Sequence, residues 1–290
     1  MTRIITSISE ISESYDALFC DLWGCVHDGL TPFAEAVAAL KAFRAKGGTV
    51  MMVTNAPRPH APVRRQLERL GVPSDAYDGI ATSGDSARAA MLRGAVGEKV
   101  YFIGQSHDQD FFTPLELIEN PVVISQVALE QAEGIVCCGP FDPLADPDEM
   151  RAHFLQAKAR GLKLLCANPD IVVDRGETRE WCAGALAKLY TEMGGESLYF
   201  GKPHPPIYDL ARRRLEALGK DIPDSRILCV GDGILTDIDG AMGEDLDSLF
   251  ITGGLAAQET QTTDQPDPAA LTAYLTKEMR QPTYCIGKLR

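Results

Sequence analysis

The sequence predicts an α/β protein, a doubly wound parallel sheet carrying a second α/β unit. Two observations carry that expectation. Short apolar runs alternate with amphipathic helical stretches along the chain, the pattern of strand–helix–strand units. Each run ends in a polar residue and a loop, and in open α/β sheets ligand sites lie beyond the carboxyl ends of such strands. A length of 290 residues leaves room for two domains of roughly 100–200 residues.

Taken in order, ALFCDLWG (17–24) reads as a buried strand ending at Asp21. A helix follows from Pro32 through FAEAVAALKAFRAKG, and Gly47 stops it. TVMMVTN (49–55) is the next strand, followed by a helix over 62–70. Four strand candidates occupy the middle: KVYFIG (99–104), PVVIS (121–125), GIVCC (134–138) and LKLLCA (162–167). Helices are expected there over 147–161 and 181–195. Toward the C-terminus, SLYFG (197–201), RILCVGD (226–232) and DSLFITGG (247–254) read as strands, with helices over 205–219 and 236–243. The polar stretch 256–270 reads as a loop before a short terminal helix. The chain is expected to pass between units near residues 85 and 195. That makes 85–195 an insertion into an outer domain formed by 1–84 and 196–290.

Composition narrows the function classes. The formal charge is −13, from 28 basic and 41 acidic residues, so nothing draws a nucleic acid or an anionic membrane over a broad surface. No stretch approaches the roughly 18 apolar residues of a membrane span, and residues 1–16 lack the continuous apolar run of a secretory signal. The eight cysteines form no C-x-x-C pair and several sit in apolar runs, which reads as reduced, buried thiols in a cytoplasmic protein.

Four features fall at strand ends: Asp21 in FCDLWGCVHDG, Thr54 with Asn55 in MMVTNAP, Lys202 in YFGKPHPP, and Asp232 with Asp237 in CVGDGILTDIDGA. Singly, each has an ordinary explanation. A strand-end Asp caps a turn, a Lys after a strand is a solvated charge, and GDG is a common turn that does not match G-x-G-x-x-G. Together they supply what phosphoryl transfer needs. Asp21 offers a carboxylate able to form an aspartyl-phosphate. The Thr54 hydroxyl can hold phosphoryl oxygens, and Lys202 can neutralise the charge they share with the nucleophile. Asp21, Asp232 and Asp237 make a hard oxygen site suited to Mg²⁺.

These four segments, read as ALFCDLWG, MVTN, YFGKP and VGDGILTD, resemble the motifs of the haloacid dehalogenase (HAD) superfamily in their usual order. The GKPHP block, and CANPDIVVDRG at 166–176, are similar to the nitrophenylphosphatase and sugar-phosphatase-like branch (subfamily IIA), which carries a large α/β cap. The resemblance implies a Rossmann-like core over 1–84 and 196–290 with a cap over 85–195. It implies that Asp21 is nucleophile and Mg²⁺ ligand, that the Trp23 carbonyl and Asp232 are further ligands, and that Asp237 supports the metal through water. Thr54 would bind the phosphoryl group with Asn55 beside it, and Lys202 would tie Asp21 to the phosphate. The implied substrate is a small phosphorylated metabolite, with dimerisation through the cap.

One departure matters. Members that are phosphatases usually carry a general acid and base Asp two residues after the nucleophile, where this chain has Trp23. Such help is worth roughly 10²–10⁴ in rate. Three readings follow: substrates with good leaving groups such as acyl or aryl phosphates, replacement of the acid by His27 or Asp28 in the adjoining loop, or vestigial activity. A noncatalytic metabolite binder and a hydrolase of carbon–halogen or carbon–phosphorus bonds are the competing functions. The H-D-G run is equally an ordinary turn. Arg58, after the second motif, is placed either at the cleft or on the surface. In the cap, Asp170, Arg175, Glu177 and Trp181 lie near the loop expected to cover the site.

Overall fold

The computed structural model describes residues 2–113, 120–175 and 177–290. Gly176, the last residue of the 166–176 run, lies outside them. In chain order the strands are β1 (Arg3–Ile4), β2 (Ala17–Cys20), β3 (Thr49–Thr54), β4 (Gly79–Thr82), β5 (Lys99–Ile103), β6 (Ser125–Gln126), β7 (Gly134–Cys137), β8 (Lys163–Cys166), β9 (Val172–Arg175), β10 (Thr178–Trp181), β11 (Glu196–Tyr199), β12 (Ile227–Gly231), β13 (Asp247–Ile251) and β14 (Tyr284–Ile286). The helices are α1 (Ala34–Ala45), α2 (His60–Leu70), α3 (Ser83–Leu92), α4 (Arg151–Ala159), α5 (Ala183–Glu192), α6 (Pro205–Ala217), α7 (Asp239–Gly243) and α8 (Pro268–Glu278).

Seven strands form the core sheet in the order β1-β14-β13-β12-β2-β3-β4, all parallel. β2, β3 and β12 are buried at every position, as a parallel sheet covered on both faces requires. Alternate residues serve opposite faces. Leu18, Cys20, Val50 and Met52 pack with Leu40 and Phe43 of α1 and Leu67 of α2. Phe19, Met51 and Val53 pack with Ile207, Ala211 and Leu215 of α6. From β2 the chain winds to β3 and β4 on one side, and the later strands lie on the other. The winding therefore switches between β2 and β12, and the crevice beyond their carboxyl ends is where such a sheet binds ligands.

The second sheet has the order β11-β8-β7-β5-β6, again all parallel. One face is covered by Phe154, Ala157, Leu186 and Tyr190 of α4 and α5, the other by Ala87 and Met91 of α3 with Phe111. β9 and β10 form a separate antiparallel hairpin.

Several expectations are corrected. SLYFG was expected in the outer domain, but β11 pairs with β8 in the second sheet, Glu196 opposite Lys163 and Tyr199 opposite Cys166. A parallel neighbour needs a crossover helix, and α5 is the one that joins β8 to β11. The chain thus returns to the core only at Gly201–Lys202, past the expected crossing at 195. The other crossing, expected between 84 and 85, falls inside α3, whose first turn is capped by the Thr82 hydroxyl accepting from the Asp85 N–H. PVVIS contributes only Ser125 to its two-residue strand. β1, β4, β14 and the β9–β10 hairpin were not anticipated; they are two to four residues long, too short to show a periodicity. All eight cysteines are free and buried. No described helix is long and apolar enough to cross a membrane.

Candidate active site

Asp21 follows β2 directly, Asp232 follows β12, and Thr54 closes β3. These three strands are neighbours in register, Val230 opposite Cys20 and Cys20 opposite Met52. Adjacent strands lie about 4.8 Å apart, so the topology alone brings the three side chains to one edge. Asp237 sits in a π-helical turn, Ile234–Ile238, that leads into α7; widened turns of this kind recur at functional sites.

Lys202 is 3% exposed. Its Nζ lies 2.7 Å from Asp21 Oδ1 and 2.6 Å from Asp237 Oδ1. Burial works against the ammonium, but Asp21, Asp237 and Asp170 outweigh it and hold Lys202 firmly protonated. Burial pushes the Asp21 carboxyl up, with Lys202 opposing, and raises Asp237 to about 6. Asp237 Oδ2 accepts from the Gly233 N–H at 3.0 Å, so both its oxygens are engaged, one of them in anchoring Lys202.

Among the described residues Asp232 has no such cation. Its Oδ2 accepts the Leu255 N–H at 3.0 Å, while burial, and then the charge of Asp21, push it well above the usual carboxylate range. Oxygens of Asp21 and Asp232 and the Cys25 Sγ lie within 4.8 Å of one another. Two buried carboxylates facing each other with one lysine between three acids suit a hard divalent cation. Cys25 was not anticipated. Burial raises its thiol well above the ordinary range, so it stands there as a neutral, soft group. The chain leaves room for the carboxylate pair at Gly24, which has φ +72° and where a Cβ would lie 2.1 Å from Asp232 Oδ2.

Thr54 is buried and its Oγ1 accepts the Ala56 N–H at 3.3 Å, and among the described residues its hydroxyl donates to no acceptor. Asn55, expected beside the phosphoryl group, is otherwise employed. Its Nδ2 donates to the Lys202 carbonyl at 3.1 Å and to Asp170 Oδ1 at 2.8 Å, and its Oδ1 accepts the Lys202 N–H at 2.7 Å. Both amide N–H groups are therefore used in pinning the Lys202 loop and a cap carboxylate, and Asn55 positions rather than binds.

His27 is also placed differently from the expectation of a cleft acid. It is 2% exposed, its Nδ1 accepts the Gly29 N–H at 3.0 Å, and its ring meets Trp23 edge-on at 5.1 Å. Burial lowers it to about 4, so the imidazole is a neutral packing group behind Trp23. Asp28 rims the cleft but acts in its own turn, accepting the Leu30 and Thr31 N–H groups at 2.9 and 2.7 Å.

The Trp23 indole reaches across to the cap. Its Nε1 donates to the Asp174 carbonyl on β9 at 2.6 Å, and the Arg175 guanidinium lies 5.3 Å above its ring. Two cavities of about 190 and 150 Å³ share Asp21, Trp23, Asp170 and Val173 as walls. Asp232 and Asp237 line the first, and Thr54, Arg58, Arg175 and Trp181 line the second. Asp170 thus comes from the cap to the core site, and burial raises its carboxyl to about 6. The N-P-D run signalled this residue, but its partner in the core was not legible.

Known proteins resemble the chain in sequence and fold over most of its length. Residues 18–117 match a family model described as haloacid dehalogenase-like hydrolase, and 199–277 match one described as HAD-hydrolase-like. A crystal structure of a hydrolase of the haloacid dehalogenase-like family from Brucella suis 1330 is 39% identical, covers 99% of this chain and 100% of its own, and superposes with a TM-score of 0.86. The D-glycerol 3-phosphate phosphatase of Mycobacterium tuberculosis is 26% identical over 98% of this chain and 72% of its own length. A crystal structure of a glycerol phosphate phosphatase from that organism in complex with magnesium is 24% identical, covers 99% of this chain and 78% of that one, and has a TM-score of 0.68. With its motif-bearing strands matched on both sides of the inserted cap and its full length shared at 39% identity, the chain belongs to the haloacid dehalogenase-like hydrolases.

Proposed function

We propose that the chain is a Mg²⁺-dependent phosphatase that hydrolyses a small phosphorylated metabolite through an aspartyl-phosphate at Asp21. The observation that carries this reading is the buried Asp21–Lys202–Asp237 chain of ion pairs beside Asp232, which has no cation of its own among the described residues. Asp21, Asp232 and the Trp23 carbonyl would hold the metal, with Asp237 behind. Bound there, Mg²⁺ supplies charge neutralisation for the phosphoryl oxygens.

The residues divide the chemistry as follows. An Asp21 carboxylate oxygen attacks phosphorus as the ester P–O bond breaks, and the leaving oxygen takes the electron pair. Thr54 donates its hydroxyl proton to a nonbridging oxygen. Lys202 keeps Asp21 aimed and offsets the negative charge carried into the site. Water then attacks phosphorus, the bond from the Asp21 oxygen to phosphorus breaks with its electron pair returning to the carboxylate, and orthophosphate leaves carrying the water's protons. Trp23 can give no proton to the leaving oxygen, and its N–H is already donated to Asp174. The favoured substrates are therefore phosphate esters or anhydrides whose leaving group departs without protonation, such as aryl or acyl phosphates. The family likeness to named phosphatases supports this reading over a noncatalytic binder.

The test is phosphate release from p-nitrophenyl phosphate with Mg²⁺. Asp21→Asn and EDTA should each abolish it, and full activity in either case refutes the mechanism.

A further inference from the structure

Beyond the site just described, the second cavity opens outward. Its lining residues Arg58, Gln105, His107, Pro143, Arg175 and Glu180 also line an outer chamber of about 560 Å³, which adds Arg69 from α2. The titratable lining of that chamber is three arginines and His107 against a single carboxylate, Glu180. In a chain of formal charge −13 this is a local reversal of sign where the second cavity opens outward.

One of the three arginines is spent on an internal ion pair and two are not. Arg175 meets Glu180 at 3.0 Å, but among the described residues Arg58 and Arg69 form no ion pair. Among the described residues the one side-chain partner of Arg58 is neutral, Gln66 Oε1 at 2.5 Å. Arg58 is half-buried, and desolvation depresses its basicity; Asp108 opposes this, the like charges of Arg175 and Arg69 add to it, and Asp110 opposes it again. A partly desolvated cation that shares its cavity with two further guanidinium groups and has no ion-pair partner among the described residues is costly unless an anion arrives to share it. Guanidinium groups also match carboxylate and phosphate oxygens in pairs.

We propose that Arg58, with Arg69 and Arg175, forms a subsite for a second anionic group of the substrate, a carboxylate or a second phosphate, while the scissile phosphate sits at Asp21 and Thr54. This rests on the phosphatase reading for the position of the scissile group. The substrate class is then a phosphate ester with an anionic tail, and Arg58 is a specificity-determining residue. The arginines come from two elements on opposite sides of the cleft: Arg58 and Arg69 lie in and before α2 of the core, and Arg175 ends β9 of the cap. An anion bridging them would add to the hold that the Trp23–Asp174 hydrogen bond already gives the cap hairpin on the core.

The test compares phenyl phosphate with 3-carboxyphenyl phosphate, which differ in the tail charge while keeping an aryl leaving group. The charged ester should show kcat/KM about tenfold to a hundredfold higher, the worth of one charge-assisted hydrogen-bond pair. Arg58→Gln should collapse that ratio toward one, acting mainly on KM, and Arg58→Lys should restore part of it. 1,3-Phenylene bisphosphate in the same assay tells a preference for a second phosphate from one for a carboxylate. A parent ratio near one for both charged esters, or a ratio that survives in Arg58→Gln, overturns the subsite. A binding measurement separates this from the catalytic reading. Phosphonoacetate should raise the parent's melting temperature more than ethylphosphonate, and the difference should vanish in Arg58→Gln. That arm holds even if no phosphate is released from any ester, an outcome that sinks only the phosphatase assignment. Equal protection by the two phosphonates overturns the subsite.

Discussion

Replacing Asp170 with asparagine should stabilise the protein at neutral pH and leave it almost unchanged near pH 4. Asp170 stands in the cleft wall, accepts one hydrogen bond from Asn55 at 2.8 Å, and is raised from an ordinary 3.8 to about 6 because burial disfavours its charge. Below 3.8 the carboxyl is protonated in the folded and unfolded chain alike, and it costs nothing. As pH rises the unfolded chain ionises first, so stability is lost progressively until the folded group has also ionised, above about 6. At 1.36 kcal/mol per pH unit the full difference is about 3 kcal/mol. Because the residue keeps some contact with the cavity, about 1–3 kcal/mol is expected. Asparagine has the same shape, still accepts from Asn55, and carries no charge to desolvate. At this chain length the gain corresponds to a melting temperature about 2–8 °C higher. Thermal unfolding of parent and variant in EDTA at pH 4.5, 6 and 7.5 reads it directly. Equal melting temperatures at pH 7.5, or an offset that is the same at all three, refutes the reasoning. A confirmed gain would mark Asp170 as a charge kept in the site at the expense of stability.

The remaining predictions concern the same cleft. Lys202→Met leaves Asp21 and Asp237 buried without their shared cation and should cost about 3–5 kcal/mol in EDTA, measured by urea unfolding; an unchanged midpoint shows the carboxylates are not ionised together. Trp23→Phe removes the indole N–H donated to Asp174. It should weaken the hold of the cap hairpin on the core by about 1 kcal/mol, seen as roughly fivefold faster proteolysis near β9 and β10, whereas identical digestion rates would mean the hairpin stays down without it. Gly24→Ala combines a disallowed φ of +72° with a Cβ against Asp232. Mg²⁺ affinity by calorimetry should fall at least about tenfold, and unaltered affinity would remove Asp232 from the metal site.

The elements that were legible are those whose evidence is local. ALFC, TVMMVT and ILCVG announce themselves because a strand covered on both faces is apolar throughout. Asp21, Thr54 and Asp232 followed from them, since a polar residue closing such a strand has nowhere to go but the carboxyl edge. β11 was visible as a strand but not as a member of the second sheet. Its apolar run says nothing about which sheet supplies its hydrogen bonds, and only the α5 crossover decides that. His27 and Asp28 looked equivalent in C-V-H-D-G, yet one packs behind Trp23 and the other caps Thr31 at the rim.

From the sequence alone came the α/β class, the insertion, and the set of residues at strand ends, because periodicity and strand termination are written in consecutive residues. The tertiary structure decided what those residues do to one another. Lys202 is shared between Asp21 and Asp237, Asn55 is consumed in holding Lys202 and Asp170, and Trp23 spends its N–H on the cap. It also gathered Arg58, Arg69 and Arg175 around one chamber. Contacts between residues far apart in the chain depend on how two sheets are set against each other, and no spacing in a single sequence encodes that distance.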